Sequence, residues 1–378
     1  MHEWFASRAG SEKVVEQILR LYPNAELYAL VDVLSAEQRE FILRKPVATS
    51  FIQSLPFARK HFRNYLPLMP LAVEQFDLSD YDLIISSHHA VAKGVLTRPD
   101  QLHISYVHTP LRYGWELQHQ YLRQADLTRG VKSWLTRAAL HYMRLWDVAS
   151  ANRVDAYVAN SRYVARRIEK TYRRRATVIY PPVEVQRFDA SRPRADFYLT
   201  VSRFVPYKRV DLTVKAFVEL GLPLVVIGDG DGDRRLRQMA SGRDNIQFLG
   251  KQPDAVVEDY MRRARGFIFP PEEDFGITPV EAQAAGAPVI AYAKGGQAET
   301  VLHEQTGYLF PYQTVESLVQ SVRRLEASVG QFEAGALRQN AERFSSEQFR
   351  SRFEAFVETA WSRFERGELA LNDSEDRE

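Results

Sequence analysis

Short β-branched runs alternate with helical stretches along most of the chain, and no other feature constrains the fold as much. In the first half the runs are ELYALV (26–31), DLIISS (82–87), HISYVH (103–108), AYVANS (156–161) and ATVIYPP (176–182). In the second half they are FYLTVSRF (197–204), LVVIGDG (224–230), IQFLG (246–250), GFIFP (266–270) and PVIAY (288–292), with TGYLF (306–310) closing the series. Helical patterns such as 209–220, 255–264 and 314–326 lie between or after them. This alternation is the mark of doubly wound α/β sheets, whose ligands bind at the carboxyl ends of the strands. A chain of 378 residues is long for one core, so two domains are expected. Pro181–Pro182 and the mixed segment to Arg194 read as the linker. The domains then span 1–185 and 195–349, with a last helix at about 350–370 packing back on the first. Two halves facing one another would take a ligand between them.

The beginning departs from this scheme. A glycine turn, Ala9-Gly10-Ser11, has no strand pattern ahead of it. In many doubly wound sheets the first strand is central, and its loss leaves a hole in the core. The expectation is that this strand is missing, that the natural chain starts some residues earlier, and that Met1 stands at an internal start.

Composition narrows the function classes. Hydrophobic residues at 45% and charged ones at 26% describe a globular chain. The absence of cysteine excludes a disulfide scaffold, a thiolate metal site and a cysteine nucleophile, and fits a reducing compartment. No apolar run approaches membrane-spanning length, and MHEWFASRAG lacks a signal-peptide pattern, so a cytoplasmic location is expected. The net charge of +2 hides an asymmetry. Residues 123–175 carry thirteen Lys and Arg against four Asp and Glu, whereas 354–378 carry eight acids against three bases. A basic stretch attracts nucleic acid, anionic lipid or a phosphorylated substrate, unless it is simply a solvated helix face.

Four segments carry candidate chemistry. In PPEEDFGITPVEAQAAG (270–286), three carboxylates, Glu272, Glu273 and Asp274, precede a turn and a short helix. A helix start presents free N–H groups and partial positive charge, a ready anion site. Thr278 fits an N-cap, Pro279 the first helical position and Glu281 the third, so Glu281 on its own reads as half of a capping box. Glu273 has no such structural role. It lies in a loop at a strand end beside Phe275 and Gly276, where glycine lets backbone N–H groups approach a ligand. In SRFVPYKRVD (202–211), Arg203 ends a strand while Lys208 and Arg209 stand where a helix starts. Cations there oppose the helix dipole, which makes sense if an anion binds. GDGDGD (228–233) reads as a tight turn; it fails as a calcium loop, and an Asp-x-Asp manganese site stays open on spacing alone. In SYVHTPLRYGWELQHQY (105–121), His108 ends a strand among aromatic residues suited to stacking on sugars; His88 and His89 end another with a weaker case. No His spacing argues for a bound metal.

These segments together resemble a family. Glu273-x7-Glu281 within EEDFGITPVEAQAAGAPVIAYAKGGQAE resembles the signature of family 4 retaining glycosyltransferases of the GT-B fold. SRFVPYKRVD resembles that family's diphosphate-binding segment, AGSEKVVEQIL its glycine loop, and VANSRYVARRI its last N-domain strand and helix. The resemblance implies two Rossmann-like domains facing a central cleft and a nucleotide diphosphate sugar as donor. It implies that Glu273 faces the transferred sugar and that the donor lies on Phe275, Gly276, Ile277 and Thr278. There, backbone N–H groups from Gly276 to Thr278 hold the diphosphate. Glu281 would contact the ribose, Arg203 and Lys208 would neutralise the leaving diphosphate, Gly10 would let backbone close on the donor, and His108 would be the active-site histidine. No cofactor and no metal are expected. Tyr207 and Arg209 depart from the commonest pattern without altering the charges.

Within the family, HEWF, AGSE and VHTPLRYGW look most like bacterial mannosyltransferases of O-antigen and exopolysaccharide synthesis. That implies GDP-mannose as donor and a polyprenyl-diphosphate-linked saccharide as acceptor. The stretch 123–175 would then touch the anionic inner face of the membrane, not nucleic acid. The alternatives are a UDP-sugar-dependent family 4 transferase, a nucleotide-sugar epimerase of the same fold, or a noncatalytic relative.

Overall fold

The computed structural model describes residues 1–190, 193–328 and 330–368. The end of the acidic tail, 369–378, and positions 191–192 of the linker segment lie outside the described residues. The chain divides into two compact units. One comprises Met1–Pro181 and the segment from Phe349 onward, the other Pro182–Gln348.

The first unit is built on a seven-stranded sheet: β1 (His2–Phe5), β2 (Leu27–Asp32), β3 (Val47–Thr49), β4 (Leu83–His88), β5 (Leu102–Val107), β6 (Ala156–Ala159) and β7 (Thr177–Val178). Their order is β3-β2-β1-β4-β5-β6-β7, with every pairing parallel. Such strands are covered on both faces, which is why they read as short continuous apolar runs. In the helix Ser346–Glu365, Phe349, Phe353, Val357 and Ala360 join Ile104, Tyr106, Val14 and Ile18 in one core of this unit.

The strand expected to be missing is present. β1 is central, pairing with β2 through His2, Trp4 and Phe5 and with β4 through His2. It escaped the hydrophobic pattern because it has only four residues, two of which are His2 and Glu3, and both are buried. Each is paid for by hydrogen bonds rather than by apolar contact. The Glu3 carboxylate accepts the backbone N–H groups of His89, Ala90, Val91 and Ala92 at 2.7–3.0 Å. Ahead of β1, between the starts of β2 and β4, lies a cavity of about 500 Å³ lined by Leu27, Tyr28, Leu83 and Ile85 among others.

The second unit carries a six-stranded sheet: β8 (Tyr198–Val201), β9 (Leu224–Ile227), β10 (Ile246–Gly250), β11 (Gly266–Phe269), β12 (Val289–Tyr292) and β13 (Gly307–Phe310). Its order, β10-β9-β8-β11-β12-β13, repeats that of the first sheet, again wholly parallel. In both sheets the direction of winding reverses beside the first strand of the unit, at β1/β4 and at β8/β11. Crevices at the carboxyl ends of strands flanking such a reversal are where doubly wound folds bind ligands. Among the described residues, no helix is long and apolar enough to cross a membrane.

Candidate functional site

The sequence-derived residues fall at these two reversals. In the second unit, β8 ends at Val201 and leads to Arg203; Lys208 lies in a 3₁₀ turn, Pro206–Lys208, and Arg209 caps the helix Val210–Leu220 in the left-handed region. The exposed Arg203 donates to the Tyr207 hydroxyl at 3.0 Å. The Lys208 ammonium lies 5.5 Å from the centre of the same ring. GDGDGD supports this loop from beneath. A Cβ at Gly228 would stand 1.8 Å from the Ser202 carbonyl oxygen, and Phe204 N–H donates to the Asp229 carbonyl at 2.6 Å. The glycines are therefore explained by close backbone packing, as the tight-turn reading holds. Among the described residues no cluster of three His, Cys, Asp or Glu could hold a metal ion.

From the neighbouring strand, β11, the chain runs through Pro270 and Pro271 into the carboxylate loop. Glu273 forms an ion pair with Lys208 at 2.7 Å, both side chains about four-fifths buried. Thus the structure brings the two motifs together although 65 positions separate them. Glu272 pairs instead with Lys294 at 3.2 Å. The loop is held by a residue the motifs did not single out. Gln297, fully buried, donates to the Pro271 carbonyl at 2.7 Å and accepts the Glu273 N–H at 3.2 Å. Gly296 N–H donates to the Glu273 carbonyl, and a Cβ at Gly296 would meet the Asp274 carbonyl oxygen at 2.2 Å.

The helix after this loop corrects one expectation. It spans Ile277–Ala284 with Gly276 as N-cap, at φ 88°, so Thr278 is its second residue and not its cap. Glu281 is then the fifth residue, beyond the position from which a capping box forms. With no side chain at the cap, the first turn opens with the N–H groups of Gly276, Ile277 and Thr278 ahead of Pro279. Phe275 turns its ring inward, 4% exposed, against Phe344 at 5.5 Å. It anchors the loop while its backbone stays at the helix start.

In the first unit, Gly10 is the first residue of the helix Gly10–Leu21, reached from β1. His108 follows β5, its Nε2 2.8 Å from the Ser87 hydroxyl of β4 and its carbonyl accepting from the Asn160 amide at 2.9 Å. Burial above all, and then the nearby His89 and His2, push the His108 imidazole well below its usual pKa. It is neutral at pH 7. His89 stands between His2 and His108, with ring centres 6.3 and 6.4 Å away, and burial pushes it down to about 4. His88 is wholly buried, 3.4 Å from Glu3, a structural position. Sequence reading gave no role to His2, Glu3, Glu12 and Ser87, although HEWF and AGSE contain the first three; what unites them is convergence at one strand reversal.

The fold, two parallel doubly wound sheets of the same strand order, is that of the GT-B structures. Two family models divide the chain: "Glycosyltransferase Family 4" matches residues 9–187 and "Glycosyl transferases group 1" residues 184–343. The chain belongs with the family 4/group 1 glycosyltransferases. Among curated relatives, an alpha-1,3/1,6-mannosyltransferase ALG2 of Rhizomucor pusillus is 27% identical over 42% of this chain and 47% of its own. The GDP-mannose-dependent monoacylated alpha-(1-6)-phosphatidylinositol monomannoside mannosyltransferase of Corynebacterium glutamicum is 30% identical over 39% of this chain and 47% of its own. The matched regions span about half the length of these relatives. Anabaena HepE, solved in complex with UDP, is 16% identical with a TM-score of 0.66, over 95% of this chain and 99% of its own, a likeness of fold.

Proposed function

We propose that the protein is a retaining glycosyltransferase that moves mannose from GDP-mannose onto a lipid-linked saccharide in bacterial surface polysaccharide synthesis, without a metal. The observation that carries the transfer reading is the Lys208–Glu273 pair beside the Gly276 helix start, at the β8/β11 reversal. A cation, N–H donors and a carboxylate in one place can hold the two parts of a nucleotide sugar at once. Backbone N–H groups of Gly276, Ile277 and Thr278, with Arg203 and Lys208, bind the diphosphate and stabilise the charge it gains on leaving, a fixed electrostatic contribution that costs no reorganisation. Glu273 accepts hydrogen bonds from hydroxyls of the transferred sugar, and Glu281 from the ribose. Gly10 brings backbone to the donor, and neutral His108 faces the reacting sugar. Mannose, GDP and a lipid acceptor rest on the resemblance of the sequence and on the names of the mannosyltransferase relatives.

The membrane contact has its own support. On the helix Gly130–Ser150, Val131, Trp134, Leu135, Tyr142 and Leu145 are all exposed, Trp134 by 68%. At about 100° per residue they fall within an arc of about 100°, one apolar stripe facing outward. Arg129, Lys132, Arg137 and Arg144 accompany it, the combination that lies in an anionic lipid surface. Cosedimentation with vesicles containing anionic lipid should therefore be lost in the Trp134→Ser, Leu145→Ser double variant.

The test of the main reading is transfer of radiolabelled sugar from GDP-mannose to a polyprenyl-diphosphate-linked saccharide, with UDP-sugars as competitors. Label should reach the lipid product and persist with chelator added. Transfer from a UDP-sugar only would replace the donor, and an absolute manganese requirement would overturn the metal-free mechanism. Nucleotide release without an acceptor product would replace the transferase by an epimerase or hydrolase.

A further inference from the structure

Around His108 stand four polar side chains without partners, in a unit that otherwise pairs its polar groups. Trp4 lies near the end of β1, His89 follows β4, Tyr113 lies beyond β5, and Arg63 belongs to the 3₁₀ helix Phe62–Leu68. Among the described residues, the Trp4 N–H, the His89 ring nitrogens, the Tyr113 hydroxyl and the Arg63 guanidinium make no hydrogen bond or ion pair. The N–H groups of Trp115 and Trp146 show the contrast, donating at 2.8 Å to Asp147 and Glu74.

The four groups are contiguous. The His89 ring centre is 6.4 Å from that of His108 and 4.7 Å from that of Trp4, edge to face. The Arg63 guanidinium carbon stands 5.8 Å from the Trp4 ring centre and 4.9 Å from that of Phe62. Arg63 also acts on Tyr113: burial, with Glu3, Asp147 and Tyr121, pushes the Tyr113 hydroxyl up, and the guanidinium draws it back. The line therefore runs from His108 out to an exposed cation. It follows the carboxyl ends of strands at the β1/β4 reversal, where doubly wound sheets bind ligands.

Charge says what the outer end takes. Glu3 is engaged by backbone N–H groups and Asp147 by Lys93, so neither balances Arg63. Residues 51–73 hold Arg59, Lys60, His61 and Arg63 and no Asp or Glu. Arg59 and Lys60 are exposed and, among the described residues, likewise without an ion pair. A solvated basic turn would account for these charges alone. It does not account for a guanidinium laid against two rings beside three unpaired polar groups. Arg in that position keeps its N–H fork free for a phosphate.

We propose that Trp4, His89, Tyr113 and Arg63 form an acceptor subsite for a glycosyl phosphate. The three polar edges hydrogen-bond the sugar, and Arg63 takes the phosphate or diphosphate, with Arg59 and Lys60 adding to its field. The assignment rests on the transferase reading above, in which neutral His108 faces the reacting sugar. The accepting hydroxyl then lies at the His108 end of the line and the phosphate at the Arg63 end.

The test observes Trp4 itself. Protein labelled with 5-fluorotryptophan has five tryptophans to give ¹⁹F resonances, and that of Trp4 is assigned by its loss in Trp4→Phe. The probe is farnesyl-diphosphate-linked glucose, with uncharged farnesyl glucoside as control. Charge-assisted hydrogen bonds dominate such binding, so the choice of hexose is secondary. The diphosphate should move the Trp4 resonance saturably, and the glucoside should not. Arg63→Gln, a change at an exposed position, should weaken that binding about 10- to 100-fold, the scale of lost hydrogen bonds to a charged group. In the transfer assay the same variant should raise KM for the acceptor similarly and leave KM for the donor within about twofold. Glucose 1-phosphate moving Trp4 as readily as the probe supports the subsite with free sugar phosphates as its ligands; a need for the lipid supports it with lipid-linked ones. An unmoved Trp4 resonance, equal affinity in Arg63→Gln, or equal binding of the glucoside overturns the subsite. So does movement of Trp4 by phosphatidylglycerol vesicles alone, which would make this a lipid-headgroup contact. Failure of the transferase reading would show instead as no turnover by the wild type, with the Trp4 titration still deciding the subsite.

Discussion

The two sheets share one winding order, yet the groups gathered at their reversals are built in opposite ways. In the second unit the candidate donor-site side chains stand on loops beyond the strands: Arg203 exposed, Lys208 and Glu273 partly so, steadied by glycine contacts and by Gln297. In the first unit most of the charged and titratable groups at the reversal are inside. Glu3, Glu12, His2 and His88 are buried. Beside them lies an ion pair between Lys93 and Asp147 at 2.9 Å, both side chains wholly buried. Asp147 also accepts from the Trp115 N–H at 2.8 Å and the Tyr172 hydroxyl at 2.9 Å. On the proposed reading, the difference teaches that charge serves binding in one unit and shape in the other. Substitutions of these groups should therefore cost stability in the first unit and ligand binding in the second.

The largest effect that would break this comparison lies in the first unit. Lys93→Met strands a buried carboxylate and should cost about 3–5 kcal/mol of stability, read by denaturant titration. All five tryptophans, at 4, 115, 134, 146 and 361, belong to this unit, so their fluorescence reports it alone. A loss below about 1 kcal/mol, the scale of an exposed pair, would show that burial does not set the cost. Next, Glu273→Ala should lower transfer about 100-fold or more, as when a preorganised electrostatic group is removed, without shifting the unfolding midpoint. Wild-type turnover would take Glu273 out of the site. Arg203→Ala and Lys208→Ala should each weaken nucleotide binding by about 1.5–3 kcal/mol, the scale of hydrogen bonds to charged groups, again without unfolding the protein.

The pH dependence is the most selective of these effects. His89 and His103 are both held at about 4 by burial, against an ordinary 6.5. The unfolded chain binds protons more readily there, so their contribution to stability is complete above pH 6.5 and is lost as pH falls toward 4. Tryptophan fluorescence should therefore show the first unit weakening through that window. A midpoint independent of pH between 6.5 and 4 would mean these histidines are solvated in solution.

Legibility followed the same division. The loops of the second unit were visible because glycine, Arg and Lys at a strand end and a helix start conflict with ordinary structure, and such conflicts mark function. The runs at 246–250 and 266–270 have strand boundaries within a residue of the pattern. β1 stayed hidden because the apolar pattern cannot register a strand whose polar residues are satisfied by other segments, as Glu3 is by 89–92. β3 has three residues and was too short to register. Thr278 was misread because a Thr-Pro pair fits the start of a helix, whereas Gly276 at positive φ starts the turn two residues earlier. Gln297 and Glu12 lie inside the quoted segments, yet their contacts, like those of Ser87, exist only once distant segments lie side by side.

Calorimetric titration with GDP, UDP, GDP-mannose and UDP-glucose tests the central claim most directly. It should use the wild type and Lys208→Ala side by side, with and without magnesium. The account predicts that one nucleotide and its sugar bind the wild type, without magnesium, and that Lys208→Ala weakens both by at least about 10-fold, or 1.4 kcal/mol. Binding of none of them, or equal affinity in the variant, would contradict a diphosphate site at the β8/β11 reversal.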